Sequence, residues 1–238
     1  MIIENKFSLN HSKKIRKNKD LKYIIIHYTG MQSRIESVKR LLNPKYKVSC
    51  HYLIDRRGKI IKMVEENKIA WHAGKSKWQN LENLNKYSIG IELVNKGHKF
   101  GYQNFTDLQI KVLIKLCLKL KKKYKIKTTN ILGHSDIAPT RKKDPGEKFP
   151  WKKLYSKNLG MWYSPRKLKE TKNIDTKRMK SSLLKNLYKI GYRYMTNKKN
   201  EFRVISAFQQ RFLSKKASGK IDQKTYVISH LLAQKYKN

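Results

Sequence analysis

The sequence predicts an α/β fold: a central mixed β-sheet flanked by helices, followed by a small three-helix bundle. Lys22-Tyr23-Ile24-Ile25-Ile26-His27-Tyr28 and Ser88-Ile89-Gly90-Ile91-Glu92-Leu93-Val94 are apolar runs of strand length. The order strand, helix, hairpin, strand, helix, strand that these runs anchor implies a mixed sheet with helices packed against it. After a polar, basic stretch containing Pro165, three short helical patterns follow, at 182–190, 201–212 and 222–234, with Gly191 and Gly219 between them.

Residues 1–20 are polar and basic with few apolar anchors, which predicts an arm lying on the surface. The first core strand, from Lys22, delivers His27 at its C-terminal end. Ser33 followed by Glu36 is a capping box, and Ile35, Val38, Leu41 and Leu42 form the apolar face of a helix that stops at Asn43-Pro44. Segments 48–54 and 59–64 read as a hairpin reversed at Asp55-Arg56-Arg57-Gly58. Ala70-Trp71-His72-Ala73-Gly74 is too short and too mixed for a regular element and reads as a loop. In the strand from Ser88, residues 89, 91 and 93 share one face and Glu92 points the other way. Thr106 caps a long helix in which Leu108, Val112, Leu116 and Leu120 recur at helical spacing, and its lysine-rich end suits the C-terminal dipole. Asn130-Ile131-Leu132-Gly133 is the last core strand, and a short helix follows Phe149-Pro150-Trp151. The predicted division is a basic arm over 1–20, a main domain over 21–163, a linker over 164–180 and a helical domain over 181–238.

The chain of 238 residues carries 57 Lys and Arg against 16 Asp and Glu, a net charge of +41. Such a field attracts polyanions of any kind without choosing among them. The lysines are spread along the chain and arginine is the minority cation, so a solvated basic surface is the expectation and a nucleic-acid site is not. Cys50 and Cys117 are too few for a disulfide scaffold. The first residues hold no apolar run of signal-peptide length, and no stretch approaches membrane-spanning length. These features place the expected compartment in the cytoplasm, with the periplasm or cell wall, by a non-classical route or a removed leader, as the alternative.

The stretch from Gly133 to Gly146 puts His134 and Asp144 at the ends of a proline-punctuated loop, with Lys142 two positions before the carboxylate. A catalytic zinc takes three protein ligands and leaves a fourth position for water, and His27 is the candidate for the third. Taken alone, His27 is more often a packed core histidine, and Asp144-Pro145-Gly146 is also an ordinary turn. Together, two imidazoles and a carboxylate at strand ends suit zinc.

These residues also carry a resemblance. Ile26-His27-Tyr28-Thr29, Ser49-Cys50-His51-Tyr52, Ala70-Trp71-His72-Ala73-Gly74, Ser88-Ile89-Gly90-Ile91-Glu92 and His134 to Pro139 through Asp144-Pro145-Gly146 resemble the zinc-dependent N-acetylmuramoyl-L-alanine amidases of the AmiD and AmpD types. The match runs from about residue 22 to 163, and the last helices resemble a peptidoglycan-binding domain. The resemblance implies hydrolysis of the bond between N-acetylmuramic acid and L-alanine in peptidoglycan or anhydro-muropeptides. It implies zinc on His27, His134 and Asp144, Glu92 as general base and Lys142 as oxyanion stabiliser. It places Tyr28, Thr29, His51, Trp71, His72, Ala73 and Gly74 along the substrate. Phage-type members carry a tyrosine where this chain has Cys50, which shifts the proton-transfer role to Glu92; Cys50 itself is expected to be packed rather than to bind metal. His98, in a polar turn, is expected to be incidental. The competing reading is a non-catalytic peptidoglycan recognition module on the same fold, in which a ligand would be missing. The C-terminal helices are expected to add affinity for polymer without touching the chemical step.

Overall fold

A computed structural model describes residues 2–164, 166, 178–214 and 217–236. In chain order its first elements are β1 (Ile3–Asn5), β2 (His11–Ile15), β3 (Tyr23–Tyr28), α1 (Arg34–Leu42), β4 (Tyr52–Ile54), β5 (Ile60–Lys62) and β6 (Lys68–Ala70). Next come β7 (Lys77–Trp78), β8 (Leu81–Glu82), β9 (Ser88–Leu93), α2 (Asp107–Tyr124), β10 (Ile131–Gly133), α3 (His134–Ile137) and α4 (Trp151–Tyr155). The last three helices are α5 (Met179–Ile190), α6 (Lys198–Phe212) and α7 (Gln223–Lys235). The central sheet is mixed, in the order β1-β5-β4-β9-β3-β10; β4 and β5 form the antiparallel hairpin and the other neighbours are parallel.

Parallel pairing sets the site. β3 lies beside β9 with His27 opposite Glu92, and beside β10 with Gly133 opposite Ile26, so three strand ends carry His27, Glu92 and His134 to one edge. The 18-residue helix α2 makes the crossover from β9 to β10. Thr106 caps it by accepting from the Gln109 amide at 3.1 Å. Its buried face is Ile110, Leu113, Leu116, Cys117 and Leu120, whereas Leu108 is 51% exposed, contrary to the sequence expectation. Leu108 instead covers Gly58 at the tip of the β4–β5 hairpin, where an added Cβ would meet its Cγ at 2.9 Å. In α1, capped by Ser33, Leu41 is buried and Ile35 is 64% exposed.

Residues 1–20 do more than lie on the surface: β1 extends the sheet beside β5, and β2 pairs with β6. Strand addition at an edge is made by backbone groups, so it needs no apolar signature. Arg16 ends this arm buried, its guanidinium donating to the carbonyls of Glu66, Asn85 and Ser88.

Each face of the sheet has its own apolar layer. Ile24, Ile26, Ile89, Ile91 and Leu93 pack on α2, while Tyr23, Ile25 and Leu132 share a cluster with Leu183, Leu187 and Phe208 of the C-terminal helices. The expected linker falls mostly outside the described residues. The three helices are present, with Asn197 capping α6 and Asp222 capping α7, and their apolar side chains cover the second face of the sheet. A fully buried side chain of this size contributes about 1.5–3 kcal/mol, so six of them rival the ~5–15 kcal/mol net stability of a whole domain. Among the described residues no helix is long and apolar enough to cross a membrane.

Candidate metal centre

His27 Nδ1, His134 Nδ1 and Asp144 Oδ2 form a triangle with each pair 3.0 Å apart, in a site where all three side chains are buried. Donors about 2.0–2.1 Å from a tetrahedral zinc lie about 3.3 Å from one another, so the triangle needs little opening. The hydrogen-bond partners show why the three atoms face each other. Ser88 Oγ donates to the Leu84 carbonyl at 2.6 Å, so at 3.3 Å it can only accept from His72 Nε2–H. That leaves His72 Nδ1 as an acceptor, and His27 Nε2–H donates to it at 3.0 Å. His134 Nε2 faces the Ala73 carbonyl at 3.2 Å and Arg141 Nη2 at 3.3 Å, and the tautomer that donates to the carbonyl is the one that frees Nδ1 for a cation. Both Nδ1 atoms therefore present lone pairs to each other and to a carboxylate oxygen. Such a group is repulsive without a cation and fits one with it.

The charge states agree. Burial, with the adjacent His134, pushes His27 down to about 4, and burial drives His72 well below its ordinary value, so both rings are neutral as ligation and its support require.

Residues 88, 90 and 92 alternate onto the face of β9 that looks into this site. Ser88 orients His72. Gly90 makes room for it: an added Cβ would lie 2.3 Å from His72 Cγ. Glu92 is 9% exposed and, among the described residues, its Oε2 has no hydrogen-bond partner. Burial, then the charge of Asp144, raises its carboxyl to about 8, while Lys142 pulls the other way. Lys142 itself is exposed on the metal loop.

The side chains expected to touch substrate divide. Tyr28, Thr29 and Trp71 are half-buried and Gly74 is exposed. His51, His72 and the Ala73 methyl are buried. His51 accepts from the Gly90 amide through Nδ1 and faces the Lys68 carbonyl and Arg16 through Nε2, so it braces β9. His72 and the Ala73 carbonyl support the two ligand histidines. A loop without periodicity does not show which way its side chains turn, and here these three turn inward. Cys50 is buried 3.9 Å from the Met63 sulfur, outside the ligand set.

Three contributors escape local sequence patterns. Asn85 Oδ1 accepts from the amides of His72 at 3.0 Å and Ala73 at 2.7 Å and so fixes the supporting loop. Arg16 grips the Asn85 carbonyl at 2.8 Å. His98 is not incidental: it accepts from the Tyr28 hydroxyl at 2.8 Å and donates to Glu147 at 3.0 Å, tying the loop after β9 to the metal loop.

Gly90→Ala and His72→Ala should each weaken zinc binding by about 10- to 100-fold, the usual range for outer-shell losses. Competition against a chromophoric chelator reads this directly, and unchanged affinity in both variants would remove His72 from the support.

Residues 17–147 match the N-acetylmuramoyl-L-alanine amidase family. The chain is 34% identical over 237 residues to the N-acetylmuramoyl-L-alanine amidase AmiD of Escherichia coli K12, covering 91% of this chain and 83% of that protein. In structure it is similar to E. coli AmiD in complex with the substrate anhydro-N-acetylmuramic acid-L-Ala-D-gamma-Glu-L-Lys, with TM-score 0.81, 32% identity and coverage of 94% and 92% of the two chains. It is also similar to AmpDh3 of Pseudomonas aeruginosa in complex with anhydromuramic pentapeptide, with TM-score 0.82, 30% identity and coverage of 95% and 96%.

Proposed function

The chain belongs to the N-acetylmuramoyl-L-alanine amidase family, and from that membership we propose that it hydrolyses, with zinc, the amide joining N-acetylmuramic acid to L-alanine in peptidoglycan or anhydro-muropeptides. The observation that carries this is the convergence of three unprotonated donor atoms beside a buried carboxyl, Glu92, with an unpartnered oxygen.

His27, His134 and Asp144 would hold the ion, which when bound polarises the scissile carbonyl and lowers the pKa of a water. Glu92 takes a proton from the attacking water and returns one to the departing alanine nitrogen. A carboxyl raised toward neutrality by burial suits both transfers. Lys142 meets the negative charge that develops on the carbonyl oxygen; the reach of its charge to Glu92 and His27 supports this role. Tyr28, Thr29, Trp71 and Gly74 remain as the accessible residues for substrate contact. Asn95, bonded to Thr29, also lines a 490 Å³ cleft with Asp55, Arg34, Arg56, Lys59 and Lys96, in which Arg34 is paired with Asp55 and Lys59 with Glu4. For residues 181–238, peptidoglycan binding is proposed on the sequence resemblance. A recognition module without catalysis would not require the complete ligand set together with Glu92.

Mass spectrometry of products from a soluble anhydro-muropeptide should show a peptide with a free L-alanine amine and the separated sugar. Chelator should abolish the reaction and added zinc restore it. Full turnover by metal-depleted protein would overturn the mechanism.

A further inference from the structure

Asp136, two residues beyond His134, is 1% exposed and receives three donors. Its Oδ2 accepts from the Gly133 amide at 2.8 Å, closing the turn that carries His134. The other two donors come from Tyr192, just beyond the end of α5, and from Arg211 in α6. The Tyr192 hydroxyl donates to Oδ1 at 2.6 Å, and Arg211 Nη1 pairs with Oδ2. Arg211 is itself 3% exposed, lies 3.9 Å over the Trp151 ring and donates to the Ile131 carbonyl at 3.3 Å. On the far side of the turn, the Ser135 amide donates to the Asp144 backbone carbonyl at 2.8 Å. Arg203 adds a bond to the Thr140 carbonyl at 2.7 Å, further along the same loop.

We propose that Arg211 and Tyr192 are positioning residues for the metal centre: by gripping Asp136 they hold the turn that presents His134 and fixes the Asp144 backbone. The inference rests on the zinc reading of the site. A doubly held buried carboxylate has one low-energy position, and the turn built on it inherits that position. The C-terminal helices thus contribute to the chemical step through two of the three ligands, without touching substrate.

The test uses the full chain. Tyr192→Phe removes one hydroxyl, Arg211→Met keeps the stem over Trp151 but removes the fork, and Arg211→Lys restores only a point charge. Zinc affinity should fall about 10-fold or more in Tyr192→Phe and Arg211→Met, with Arg211→Lys between Arg211→Met and the parent. In zinc-saturated protein the loss should fall on kcat rather than KM. Leu41→Ala, a core truncation in α1 within a separate apolar cluster, should lower the melting temperature while leaving zinc affinity unchanged; an equal loss of affinity there would reduce the effect to general stability and overturn the proposal. Parent-like affinity in folded Tyr192→Phe and Arg211→Met would also overturn it, and if Arg211→Met does not fold, Tyr192→Phe decides. A parent protein that binds no zinc would overturn the reading of the site, and this proposal with it.

Discussion

Glu92→Gln should lower kcat for muropeptide cleavage by about 10²- to 10⁴-fold while zinc remains bound at one ion per chain. The amide keeps the shape of the carboxyl and cannot accept the proton of the attacking water. The same substitution should act in the opposite direction on stability. Burial raises the folded carboxyl from 4.5 to about 8, so the fold favours the protonated form. That contribution is complete below about pH 4.5 and is lost as pH rises toward 8. Glutamine carries no such loss, so the metal-free variant should melt above the metal-free parent at pH 8–9, and the two should converge in mild acid. Parent-like turnover in the variant would move proton transfer to another group, and parallel melting curves across pH would show that Glu92 is solvated.

A chain ending at Arg178 should lose cleavage of even soluble muropeptides, with little soluble, folded protein recovered. Without α5, α6 and α7, the face carrying Tyr23, Ile25, Trp78 and Leu132 meets water. At about 1.5–3 kcal/mol per side chain, the loss approaches the whole net stability. Asp136 would also keep only the Gly133 amide of its three donors. Soluble yield, thermal melting and turnover of a soluble substrate check this. A folded, zinc-loaded truncation cleaving at the full-length rate would restore the picture of a tethered accessory.

The strands are legible because their physics is local. Tyr23 to Ile26 is apolar at every position, which means cover on both faces, and the strand ends place His27 and Glu92 without further information. Which helices supply the second cover is not local. The run demands it, but no pattern within α5 or α6 names β3 as the partner. Leu108 misled because four leucine and valine positions at helical spacing define a stripe, and a neighbouring stripe of Ile110, Leu113 and Cys117 fits the sheet better. The direction in which His51 and His72 point depends on Asn85, Ser88 and Gly90, which become their neighbours only on folding. The pairing of Asp136 with Arg211, 75 residues apart, has no local signature among so many basic residues.

The donor set of two imidazoles and a carboxylate contains no sulfur, and both thiols are sealed in apolar layers, with burial pushing Cys50 and Cys117 far from the thiolate form. Oxidants act on exposed thiolates, taking them to sulfenic acid or mixed disulfides. This protein offers them none at its centre, so its hydrolytic competence is uncoupled from the redox poise of whatever compartment holds it.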